Sequence, residues 1–250
     1  MKIGTVLVAT DLNQLYMQFI PSFVTAWKAV LPEADVCVVL IADRLPPALG
    51  RFADHIRLFK PIPGVHTAFQ AQCIRLLYPR FITRNEGVLI TDMDMLPMNR
   101  SYYVDHIAEI PNDHFVVYRD VCLPGEISMC YNVAHPQTWT SMFGTESNET
   151  MLVKWNSKVR YSGEHGGSGW NTDQIILVNA FNAWNGPKKI LNDTITKYNR
   201  LDRAYPQIFD NPSYLRALIK QGVFSDYHCL RPYAQYKTQN DFVVESINRW

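Results

Sequence analysis

The stretch Gly87-Val-Leu-Ile-Thr-Asp-Met-Asp-Met-Leu-Pro97 carries the first decision about this chain. Its opening run, Gly87 to Thr91, is short and apolar, as expected of a strand buried on both faces of a helix-covered parallel sheet. The run stops at Asp92-Met93-Asp94. In an extended chain, side chains two apart point the same way, so Asp92 and Asp94 are expected on one face and Met93 on the other. That places both acids at the carboxyl end of the strand, where open α/β sheets form their ligand crevices. Two carboxylates so close repel each other unless a cation neutralises them, and hard oxygen ligands suit Mg²⁺ or Mn²⁺. The competing reading has both aspartates capping a turn before Pro97.

The segments around this stretch repeat the same alternation. Ile3–Thr10, Val36–Ala42 and Ile56–Phe59 are predicted strands. Between them, Leu15, Phe19, Phe23, Trp27 and Val30 recur at helical spacing, with Pro21 either kinking the helix or starting its second part. A second helix carries Phe69, Cys73, Leu76 and Leu77. Further on, Phe115–Tyr118 and Ser128–Ala134 read as strands, Ile175, Ile176, Val178 and Phe181 mark a helix, and 238–250 a last short one. Such β-α-β order argues for a mostly parallel sheet flanked by helices in a single domain over 1–250.

Composition narrows the function. With 250 residues, 47% of them hydrophobic, the chain has material for one substantial core. A formal charge of +1 with no basic run argues against a nucleic-acid partner or a membrane surface. The apolar run before Asp11 is too short for a signal segment or a membrane span, and no later run is long enough. Five cysteines without a CxxC pair read as reduced thiols, although Cys122 and Cys130 could pair across a hairpin. A soluble, cytoplasmic protein is the expectation.

A hydrophobic strand ending in Asp92-Met-Asp94, about ninety residues in, resembles the GT-A glycosyltransferases, and other segments follow in that family's order. The opening strand ends in Ala9-Thr10-Asp11, where such enzymes grip the nucleotide base. Gln72 and Arg75 match a helix position that in relatives faces the nucleotide or its phosphates. Asn132 falls where relatives line the donor-sugar pocket. Trp170-Asn-Thr-Asp-Gln174 looks like the acceptor-side segment, and Phe224-Ser-Asp-Tyr-His228 like the late strand end whose histidine completes the metal shell.

The resemblance implies a GT-A, Rossmann-like fold whose residues 1–100 bind nucleotide and 101–250 bind acceptor. It implies a metal-dependent transfer of sugar from a UDP- or GDP-linked donor to a glycan or other hydroxyl acceptor. Asp92, Asp94 and His228 would hold Mn²⁺ or Mg²⁺, and Arg231 would offset the diphosphate charge. Trp170 and Asn171 would meet the acceptor. Asp173 would take the acceptor proton, which tilts the expectation towards inversion.

Each residue has a plainer role open to it. His228 can be a buried histidine on a carbonyl, Trp170 a core residue, Asn132 an inward strand asparagine and Arg75 a solvent-facing helix residue. Asn171 or Thr172 can cap the following helix, with Asp173 complementing its dipole. The loop Gly163–Gly169 reads as a mobile lid, with Glu164 and His165 in solvent. A phosphatase of the haloacid dehalogenase type also follows a strand with DxD, but it wants Thr or Val where Leu96 stands. A sugar nucleotidylyltransferase would need a glycine-rich, arginine-bearing loop in place of Ala9–Asn13. A sugar- or nucleotide-binding module without turnover would share every feature above.

Overall fold

The computed structural model describes residues 1–121 and 125–248. In chain order the first half runs β1 (Ile3–Asp11), α1 (Gln14–Met17), α2 (Ile20–Val30), β2 (Asp35–Ile41), β3 (Ile56–Phe59), α3 (Thr67–Leu77), β4 (Gly87–Ile90) and β5 (Met95–Pro97). Then come α4 (Arg100–Val104), β6 (Phe115–Val117), β7 (Asn132–Ala134), α5 (Pro136–Phe143), α6 (Asn148–Asn156) and α7 (Thr172–Ala183). The chain ends with β8 (Lys188–Ile190), α8 (Asp193–Thr196), β9 (Arg200–Asp202), α9 (Pro212–Lys220), β10 (Asp226–His228) and α10 (Lys237–Ile247). Pro21 starts the second part of the early helix: it lies in the first turn of α2, where a missing N–H is harmless.

Seven strands form the main sheet in the order β3-β2-β1-β4-β7-β6-β8. The half from β3 to β4 is parallel, whereas β7 runs antiparallel to both β4 and β6. The period-two alternation of the strands divides their side chains between two cores. Val6, Val8, Val38, Leu40 and Leu89 join the core on the α2 side, where Phe23 and Trp27 pack. Leu7, Val39, Val88 and Ile90 join the core on the α3 and α7 side, with Phe69, Ile74 and Leu177. Both faces are dry, which is why these strands carry apolar residues on consecutive positions through their middles.

Beyond β1 the chain winds outward through β2 and β3, then returns to place β4 on the other side of β1. That reversal opens a crevice between the carboxyl ends of β1 and β4. A smaller sheet, β5-β10-β9, closes its far wall. Its register sets His228 opposite Met95 and beside Asp202, so the residue after Asp94 and the residue before Arg203 both flank the histidine.

Two elements differ from expectation. The strand predicted over Ser128–Ala134 shrinks to Asn132–Ala134, because the chain bends and turns at residues 129–131, which leaves Ser128 and Met129 at the crevice. In α7 the buried residues are Thr172, Asp173, Leu177 and Phe181, while Ile175 lies 46% exposed. Cys37, Cys73, Cys130 and Cys229 are free and buried, and Cys122 lies outside the described residues. Among the described residues, no helix is long and apolar enough to cross a membrane.

Candidate functional site

A cavity of ≈ 230 Å³ occupies the crevice. The end of β1 contributes Thr10 and Asp11, α3 contributes Gln72 and Arg75, and the turn after β4 contributes Asp92, Met93 and Asp94. Trp170, Asp173, His228 and Arg231 also line it, so ten residues singled out from sequence meet in one place. Asn132 and Asn171 do not.

The two acids reach the cavity by a different route from simple strand alternation. The strand stops at Ile90, and Met93 and Asp94 form a turn before β5. Met93 therefore reaches the cavity wall too, rather than pointing away from it. Each acid has its own cationic partner. Arg75 donates to Asp92 Oδ1 and, from its other amino group, to Asp173 Oδ2 at 2.8 Å. Arg203 donates to Asp94 Oδ2 at 2.8 Å, with Arg231 Nε at 3.4 Å and His228 Nε2 at 3.6 Å from the same oxygen. Burial by itself would raise the Asp94 carboxyl, but His228, Arg231 and Arg203 outweigh it and hold the group well below the usual carboxylate range.

Several expectations need correction. Arg75 was expected either to face the nucleotide or to point to solvent; it is 6% exposed and ties two acids to the Thr91 carbonyl. A guanidinium here suits the task, since its planar fork serves four acceptors at once, the Gln72 carbonyl included. Asp173 was expected to be a free base. It is 2% exposed, with Oδ2 on Arg75 and Oδ1 accepting the Gln174 N–H at 2.9 Å, so its visible work is to hold Arg75. Burial pushes its carboxyl up to about 6, despite the Arg75 charge.

Gln72 has both ends of its amide committed: Oε1 accepts from Tyr161 and Nε2 donates to the Trp170 carbonyl at 3.1 Å. It fastens the loop before α7 to α3, which leaves it little to offer a nucleotide. Asn132, expected at a donor-sugar pocket, is fully buried and donates to the carbonyls of Ser128 and Met129, so the cavity is lined by those two residues and not by the asparagine. Its Oδ1 finds no hydrogen-bond partner among the described residues. Asn171 is exposed and donates to Glu126, away from the cavity, and makes no side-chain cap.

Thr10 and Asp11 sit as expected at the end of β1, and Asp11 accepts from Thr67 Oγ1 and the Asn13 N–H. Trp170 is half-buried, stacked on Tyr161 and edge-on to His165. Lining residues given no site role from sequence include Arg203, Tyr16 and His165. Arg203 simply follows a three-residue strand, and it is the pairing of β10 with both β9 and β5 that carries it to Asp94. His165, expected in solvent, is exposed but engaged: its Nδ1 meets Tyr16 Oη at 3.0 Å and its Nε2 meets Arg231 at 3.4 Å. Arg231 also donates to Tyr16 Oη at 2.6 Å. Through these contacts the 163–169 loop touches the opposite rim of the cavity.

The donor set suits a hard divalent cation in its chemistry: two carboxylates and one imidazole border the same cavity. One oxygen of each acid, Asp92 Oδ2 and Asp94 Oδ1, accepts no hydrogen bond from the described residues. The set is not yet gathered, however. Among the described residues, no three His, Cys, Asp or Glu side chains converge closely enough to hold a metal.

No protein-family model matches the chain, and no curated protein matches its sequence. Similarity appears at the level of structure. The galactosyltransferase LgtC, solved with donor and acceptor sugar analogues, superposes with a TM-score of 0.52 at 13% identity, over 97% of this chain and 95% of that one. The glycosyltransferase GlyE of Streptococcus pneumoniae TIGR4 gives 0.54 at 16% identity; it covers all of this chain, which spans only 63% of GlyE. A glycosyltransferase involved in glycosylating the major capsid protein of PBCV-1 gives 0.50 at 10% identity, over 95% and 98% of the two chains. With its mixed seven-stranded sheet and crevice at the β1–β4 reversal, the chain has the GT-A glycosyltransferase fold.

Proposed function

We propose that this protein is a metal-dependent glycosyltransferase that moves a sugar from a UDP- or GDP-linked donor to a hydroxyl of a glycan or similar acceptor. The observation that carries the reading is the meeting of Asp92, Asp94, His228, Arg203 and Arg231 in one cavity at the sheet reversal. Acids alone would suit a cation, and arginines alone an anion. Their mixture suits a cation and a diphosphate arriving together.

Asp92, Asp94 and His228 are the residues that would hold Mn²⁺ or Mg²⁺. Bound there, the cation would supply Lewis-acid stabilisation of the departing diphosphate. Arg231 lies at the same end of the cavity, and its guanidinium would receive charge as the glycosidic bond breaks. Thr10 and Asp11 are assigned to the nucleoside, from their place at the end of β1. Trp170 offers an aromatic face at the rim for a sugar ring. Asp173 is assigned to positioning Arg75. The expectation of inversion leaned on Asp173 as a base, and it is set aside with that role.

The test is release of nucleoside diphosphate from a panel of nucleotide sugars, with Mn²⁺ and with EDTA. Turnover with metal and none with chelator is the expected result. Asp94→Asn is expected to lower the rate by roughly 10²-fold or more, since it removes a charge aimed at the reacting diphosphate. Full activity in that variant would refute the metal assignment. Binding of the donor without turnover under any condition would make the chain a binding module instead.

A further inference from the structure

Every arginine bordering the cavity already has an acid. Arg75 is held between Asp92 and Asp173, and Arg203 and Arg231 share Asp94. A cation arriving alone therefore meets an Asp94 whose Oδ2 is covered by Arg203 at 2.8 Å. A diphosphate arriving alone meets guanidiniums that must first leave a carboxylate. In each case one charge would be left without a partner in a half-buried site, which is unfavourable. When both arrive, the exchange closes: the cation takes Asp94, and the released guanidinium takes phosphate oxygens, to which its fork is well matched.

Resting on the metal-dependent reading above, we propose that Arg203 is a resident counter-ion on Asp94, displaced by a divalent cation only when a nucleoside diphosphate is present to receive it. Arg203 suits this role better than its neighbours. Arg75 is buried and bonded to four acceptors, and Arg231 is braced by Tyr16 and His165. The side chain of Arg203 is about a quarter exposed and has Asp94 as its one hydrogen-bond partner among the described residues. It follows β9 directly, so a change of rotamer moves the guanidinium without disturbing the β9–β10 pairing. The consequence is coupling: metal and nucleotide each strengthen the binding of the other, and the metal alone binds weakly.

The experiment measures Mn²⁺ binding to the full chain without nucleotide, by the loss of the free-ion electron paramagnetic resonance signal. UDP and GDP binding is measured in parallel by equilibrium dialysis, with Mn²⁺ and with EDTA. Arg203→Gln is expected to bind Mn²⁺ alone about tenfold more tightly than the wild type, the size of one lost charge-assisted competitor. It is also expected to bind UDP or GDP with Mn²⁺ more weakly by a similar factor, so the coupling shrinks from both sides. Arg203→Lys, which keeps the charge but not the fork, should fall between, and it stands in if the glutamine variant melts early. Arg51→Gln, on the exposed surface, should change neither quantity. If Arg203→Gln binds Mn²⁺ alone no better than the wild type, the counter-ion role is overturned while the metal site stands. If no protein takes up Mn²⁺ even with UDP or GDP, the metal-dependent reading itself falls.

Discussion

Asp173 carries a negative charge in a place that disfavours it. Its relief comes from Arg75, which is shared with Asp92, and from the Gln174 N–H. Because the folded carboxyl sits near 6 against an ordinary 3.8, the native chain holds this proton more firmly than the unfolded chain. Between those values the native state binds more protons, so stability falls as pH rises through the window. Relative to Asp173→Asn, the wild type is expected to lose about 2 kcal/mol between pH 4 and 6, readable by urea unfolding at both pH values. A difference that stays flat or grows would contradict the burial argument. Asp94 works in the opposite sense: its lowered pKa adds stability above the ordinary carboxylate value, and that contribution is lost as pH falls below about 4. Asp92, Asp94, His228 and Arg231 were legible as chemistry, since their residue types and strand-end positions limit what they can do. Asn132 and Asn171 were not, because an asparagine satisfies a backbone carbonyl as readily as it lines a pocket, and only neighbours decide which.

Elements show where periodicity succeeds. In β1, β2 and β4 the apolar runs mark burial on both faces, and the two cores confirm it side chain by side chain. α7 shows where periodicity alone is ambiguous. Its sequence is apolar almost all round, so Ile175 and Leu177 look equivalent, yet the first is exposed and the second fully buried. Leu177→Ala is expected to destabilise by about 2–5 kcal/mol, and Ile175→Ala by under about 0.5 kcal/mol. Thermal or urea melts of the two variants check this, and equal losses would place the buried face of α7 wrongly. Of the small β5-β10-β9 sheet, only the strand end at His228 was read from sequence; β5 and β9 were not. Its strands are three residues each, too short for alternation to register, and β5 pairs with β10 across about 130 positions of chain.

Across the whole molecule, the reversal of strand order at β1 and β4 is what turns separate strand ends into a cavity. A ligand filling it would bridge the main sheet, the small sheet and the 163–169 loop. UDP or GDP with Mn²⁺, at about 100 times its Kd, should therefore stabilise the chain by about 2.7 kcal/mol, raising Tm by about 5–10 °C. Differential scanning fluorimetry reads this, and no shift with either nucleotide would mean that the cavity does not take the proposed ligands. The amino-acid pattern was enough for the α/β class, the doubly buried strands and the acidic pair at a strand end, because hydrophobic periodicity and side-chain charge are local properties. Ion-pair partners are not local. Whether Asp173 abstracts a proton or anchors Arg75, and whether Asp94 meets a metal or Arg203, depends on which distant groups the packing brings within about 3 Å, where charges in a half-buried site are strongest.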